Sequence, residues 1–64
     1  MKVDIWNTEG TRVHKDVEST FANVFMDLPE GDVEWAIENH GRCDVIGFIA
    51  VPSGETLKRA DWEK

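Results

Sequence analysis

Val33, Ala36, Ile37 and His40 recur at the i, i+3, i+4, i+7 spacing that puts four side chains on one face of an α-helix. This pattern predicts one main helix over residues 28–40, against which the rest of the chain must be arranged. Gly41 follows it, where a left-handed residue is wanted and only glycine enters that conformation without steric cost. At the other end Asp27 or Asp32 is suited to cap the free N–H groups, and Pro29 to the first turn, where its missing N–H is not needed. Asp27 and Glu30 have capping-box spacing.

The flanking segments read as sheet. Val3 and Ile5 alternate with Lys2, Asp4 and Trp6, as in an antiparallel strand with one solvated face. Thr8-Glu9-Gly10-Thr11 is a turn signal, and a two-residue loop at Glu9-Gly10 would set Trp6 opposite Val13 and Asp4 opposite Lys15. In residues 18–26, Phe21, Val24 and Phe25 fit a helical stripe, while Thr20, Ala22, Val24 and Met26 also alternate as in a strand. The β-branched and aromatic content tips this segment towards an extended one.

Residues 42–51 read as one central strand, with Val45, Ile49 and Val51 on one face and Ile46, Phe48 and Ala50 on the other. Pro52-Ser53-Gly54-Glu55 reads as the turn of a hairpin leading into a last strand over residues 56–62. A helix over residues 55–64, capped by Ser53, is the competing reading. The expected fold is therefore α+β: a single small domain over residues 1–64, with an antiparallel sheet of about four strands and one helix across one face.

Charge narrows the class of function. Thirteen acidic residues against seven basic give a net charge of −6. Asp27, Glu30, Asp32, Glu34 and Glu38 fall in a segment with no lysine or arginine. Such a surface repels phosphate backbones and attracts basic partners. Trp6, Trp35 and Trp62 could stack on bases, but a nucleic-acid binder interleaves such aromatics with lysine and arginine, and here only Lys58-Arg59 are adjacent bases. Direct nucleic-acid binding is not expected.

Catalytic and metal chemistry find little support. His40 and Cys43, with His14, fall short of the four ligands of a structural zinc site, so no metal and no cofactor are expected. A Cys43 nucleophile activated by His40 would need a substrate pocket that so short a chain has little material to build. There is no phosphate-binding loop, dinucleotide fingerprint or nucleophile elbow. The single cysteine excludes an internal disulfide framework, the start of the chain lacks a secretory signal, and no apolar run reaches membrane-span length; a cytoplasmic protein is expected.

The order of elements, the size and the acidity resemble the small accessory proteins of tailed bacteriophages that bind and disable a host protein. Asp32-Val33-x-Trp35-Ala36 followed by an apolar strand is similar to the T-even phage antitoxin that masks an RNase toxin; the similarity covers five positions of a helix and identifies no family. It implies an inhibitor of the antitoxin kind.

The sequence reading is thus a non-enzymatic protein-binding module, an inhibitor or modulator of a larger protein that is basic or handles nucleic acid. Glu30, Asp32, Glu34 and Glu38 would present charge and Trp35 the desolvated anchor. The rival reading is a homodimeric structural or regulatory module that pairs through Ile46, Phe48 and Ala50, or through the edge strand that carries Trp62.

Overall fold

The computed structural model describes residues 1–45 and 47–55. The elements run β1 (Lys2–Asn7), β2 (Arg12–Glu18), α1 (Ser19–Phe25), α2 (Asp32–His40), β3 (Cys43–Val45) and β4 (Phe48–Pro52). The four strands form one antiparallel sheet in the order β2-β1-β4-β3. Among the described strands β2 and β3 are the outer two, so the α1–α2 pair that joins them crosses from one side of this sheet to the other. The class is the expected α+β, with two helices among the described residues where one main helix was expected.

The helix-covered face is the main core. Val3 and Ile5 of β1 and Ala50 of β4 meet Ala22, Met26, Val33 and Ile37 from the helical side, with Cys43 of β3 alongside. Fully burying a side chain such as Val33 or Ile5 contributes about 1.5–3 kcal/mol, so these few residues hold the layers together. The expected solvated face of β1 is not solvated. Asp4 and Trp6 are also buried, and Trp6 clusters with Ile49 and Val51 on the opposite side of the sheet. β1 is thus covered on both faces.

Three departures from the sequence reading have physical causes. Residues 19–25 are helical, not extended, and the face that packs is not Phe21, Val24 and Phe25 but Ser19, Ala22 and Asn23, with Met26 just beyond. Small side chains let the helix lie close to the sheet and leave the bulky ones outside. Residues 43–51 form a hairpin rather than one strand: the chain turns at Gly47, whose φ of 93° suits glycine, and Val45 pairs with Phe48 instead of sharing a face with Ile49. Finally, α2 begins at Asp32, four residues later than expected. Neither Asp27 nor Asp32 caps it with a side chain; Gly31, at φ 82°, occupies the N-cap, and Asn23 of α1 accepts the N–H of Val33 at 2.9 Å. A residue on one helix therefore caps the next.

At its other end α2 closes as the sequence indicates, with Gly41 left-handed and its N–H donated to the Ile37 carbonyl at 2.9 Å. The β1–β2 register differs from the simple two-residue hairpin. Trp6 lies opposite Arg12 and Ile5 opposite His14, with irregularities on both sides of Ile5. Asp16 sits in the extra-residue region at φ 56°, a conformation aspartate tolerates better than most. Bulging and charge both suit β2 to the sheet edge, where flat regular strands invite unwanted pairing. The Pro52–Glu55 turn is present, with the Glu55 N–H donated to the Pro52 carbonyl at 3.2 Å and Gly54 at φ 93°. The strand expected over residues 56–62, its helical rival over 55–64, and the positions Ile46 and Trp62 lie outside the described residues.

Candidate functional site

Helix α2 carries the residues that charge and hydrophobicity singled out. Val33 and Ile37 point into the core, which turns Trp35 outward; its side chain is 57% exposed although tryptophan is rarely left in water. Glu38 and Glu30 are exposed and Asp32 and Glu34 half-buried, all on or next to this helix. Among the described residues, no ion pair involves Glu30, Asp32, Glu34 or Glu38.

Trp35 is braced from one side. The His40 ring stands edge-on to it at 5.4 Å, and Asn39 donates its Nδ2–H to the Trp35 carbonyl at 2.8 Å. His40 ends the expected apolar stripe, yet it is exposed and serves the indole rather than the core.

Two concavities adjoin the indole. One, of about 360 Å³, has apolar walls from Leu28, Ala36 and Val45, the Trp35 and His40 rings, and polar groups from Asp32, Arg42 and Asp44. The other, of about 420 Å³, is bounded by Glu30, Gly31, Asp32 and Trp35. Asp32 and Trp35 belong to both. Arg42 and Asp44 face each other, Nε to Oδ1 at 3.6 Å, and Asp32 adds a second carboxylate to the first cleft.

Cys43 also lines the first cleft but is buried. Burial, reinforced by the negative charges of Asp32 and Asp44, pushes its thiol up from the ordinary cysteine value. A nucleophilic cysteine needs the opposite shift. Among the described residues, no three histidine, cysteine or acidic side chains stand close enough to hold a metal ion.

The residues of the expected sheet interface are placed elsewhere. Ala50 is fully buried beneath the helices, and Phe48 is half-buried on the same face with its ring edge-on to Phe25 at 4.9 Å. Neither forms an open sheet face, because both helices lie over that side. Of the large apolar residues that are exposed among the described residues, Phe21, Val24 and Phe25 lie together on α1, while Met1, Val13 and Trp35 lie elsewhere.

The sequence reading missed a buried carboxylate. Asp4 is fully buried and accepts the N–H of Asp16 at 2.7 Å, the N–H of Gly54 at 3.1 Å and Arg12 Nη1 at 3.3 Å. Arg12 also lies over the Trp6 ring, 5.3 Å from its centroid. Burial raises the Asp4 pKa, but the two backbone donors and the Arg12 charge outweigh it and hold the carboxyl below its ordinary value. Alternation alone put Asp4 with the solvated residues; only the bulge at Asp16 and the turn at Gly54 bring donors to it. Asn23 was missed for the same reason, since its partner belongs to another helix.

No helix among the described residues is long and apolar enough to cross a membrane. The chain matches no known family model, no curated protein and no solved structure, so the geometry of α2 and its clefts stands as the guide to function.

Proposed function

We propose that this chain is a non-enzymatic, cytoplasmic protein-binding module that inhibits or modulates a larger protein with a basic surface of the kind that handles nucleic acid. The observation that carries the reading is Trp35, 57% exposed in the middle of an acidic helix that packs its other face into the core. An exposed indole costs hydration free energy unless a partner covers it, and aromatic anchors ringed by charge are typical of binding hot spots. Glu30, Asp32, Glu34 and Glu38 steer a cationic partner and occupy the place of a phosphate backbone. The cleft beside the indole suits a lysine or arginine side chain: its alkyl stem lies on Leu28, Ala36 and Val45, and its charge meets Asp32 and the face of Trp35.

Affinity capture from a bacterial lysate tests this, with wild type, Trp35→Ala and the Glu34→Lys/Glu38→Lys double variant compared at low and high salt. One basic protein should be retained by wild type at low salt and lost with either variant or with raised salt. Retention that ignores both salt and these substitutions would remove α2 from the binding surface.

A further inference from the structure

The molecule already holds one arginine between a carboxylate and an indole. Asp4 and Trp6 stand two residues apart on the same face of β1. The Arg12 guanidinium donates from Nη1 to Asp4 Oδ2 at 3.3 Å while it lies over the Trp6 ring, 5.3 Å from the centroid. One planar cation thus serves a carboxylate and an aromatic ring together.

Asp32 and Trp35 repeat this pair on α2. They stand three residues apart, which makes them neighbours on the helix surface, and both border each of the two concavities beside the indole. Asp4 and Trp6 are buried, whereas Trp35 is exposed and Asp32 half-buried, so the second pair faces outward. The His40 ring, 5.4 Å away, braces the indole. Gly31 borders the second concavity and has open space where a Cβ would stand, which keeps the approach to Asp32 clear.

The walls of the first cleft distinguish between the two cations that an acidic helix attracts. Leu28, Ala36 and Val45 are apolar, and a charge that enters among them gives up hydration. A lysine ammonium is a compact, strongly hydrated point charge with no plane to lay on an indole. A guanidinium is weakly hydrated, stacks on aromatic faces and presents a fork of donors that matches a carboxylate. Asp44, the other carboxylate of the cleft, faces Arg42, while Asp32 is the one a helical turn from the indole.

We infer that the cleft beside Trp35 takes an arginine side chain of the partner in preference to a lysine, with the guanidinium stacked on Trp35 and paired with Asp32. Its stem runs along Leu28, Ala36 and Val45. The inference rests on the binding role proposed for α2 and names the chemistry recognised there: an arginine projecting from the basic partner.

Short acetylated and amidated peptides, with a central arginine or lysine among glycines, are the probes, titrated into the folded protein. The Trp35 indole N–H resonance, assigned by its loss in Trp35→Phe, reports binding by NMR. The arginine peptide should shift this resonance saturably and bind at least about threefold more tightly than the lysine peptide. Asp32→Asn, which keeps the side-chain volume, should weaken the arginine peptide by about tenfold and abolish the preference. Equal affinities for the two peptides overturn the inference and leave the basic-partner reading standing. A resonance that neither peptide moves overturns it as well, and lysate capture then decides separately whether α2 binds a protein. Undiminished arginine affinity in Asp32→Asn also refutes it, by placing the peptide elsewhere on the acidic surface.

Discussion

Asn23 reaches out of α1 and accepts the backbone N–H of Val33 through its Oδ1 at 2.9 Å, closing the start of α2 from outside that helix. Its own carbonyl accepts the N–H of Leu28 at 2.8 Å, so one buried residue organises the link between the helices. The helix that displays Trp35 and the acidic side chains is therefore positioned by a residue of the helix that bears the apolar face.

Removing that residue should be costly. Asn23→Ala leaves the Val33 N–H buried without its acceptor, and an unsatisfied buried donor costs about 1–3 kcal/mol. Urea denaturation of the variant should show a loss of this size. A loss below about 0.5 kcal/mol, the size expected of a neutral surface change, would show that the link is held by packing alone.

Asp4 makes stability depend on acid pH. Its folded pKa is below the ordinary value of 3.8, because the donors from Asp16 and Gly54 and the Arg12 charge overcome the effect of burial. The stability it contributes is therefore fully present above that ordinary value and is lost as pH falls through the lower, folded one. Asp4→Asn should lower the urea midpoint at neutral pH and flatten the acid limb of the stability profile. An unchanged acid limb in the variant would place the pH dependence in other carboxylates.

Cys43 should be slow to react. Its thiol is buried and shifted upward by burial and by Asp32 and Asp44. A thiol reagent should label the folded protein at least about tenfold more slowly than the urea-unfolded chain, since the thiolate is both scarce and covered. Equal rates in the two states would show that the first cleft opens readily.

Gly31 should resist replacement for a conformational reason alone. Its φ is 82°, and a Cβ built there meets nothing within 4 Å, so strain and not crowding opposes a side chain. Gly31→Ala should cost roughly 1–2 kcal/mol, and Gly31→Asn less, because asparagine visits the left-handed region more easily. The order of thermal midpoints, wild type above Asn above Ala, checks this.

Trp35→Ala should separate binding from folding. An exposed side chain outside the core changes stability by no more than about 0.5 kcal/mol when truncated, so loss of partner capture in this variant would report on contact and not on unfolding. A large drop in the thermal midpoint would instead make Trp35 part of the structural frame.

Local chemistry was legible in the residues themselves. The glycines at 10, 41 and 54 mark a turn, a helix end and a second turn, because a positive φ is a property of one residue and its neighbours. The inward positions of Val33 and Ile37, with Ala36 partly packed beside them, and the outward position of Trp35 follow from helical spacing, since residues three and four apart share a face; His40, the fourth of the stripe, is exposed. The α+β class follows from the same periodicities.

What only the tertiary structure decided are relations between residues distant in sequence. Residues 19–25 fit both helical and extended patterns, and their β-branched and aromatic content favours the extended one; docking of Ser19, Ala22 and Asn23 against the sheet makes them helical instead. Gly47 could have sat within a strand; the pairing of Cys43 with Ala50 makes it a turn. Asp4 becomes a buried, charged anchor only because the Asp16 bulge and the Gly54 turn converge on it from 12 and 50 positions away. Periodicity records which side of an element each residue occupies, whereas burial and hydrogen-bond partners depend on what the fold brings to that side.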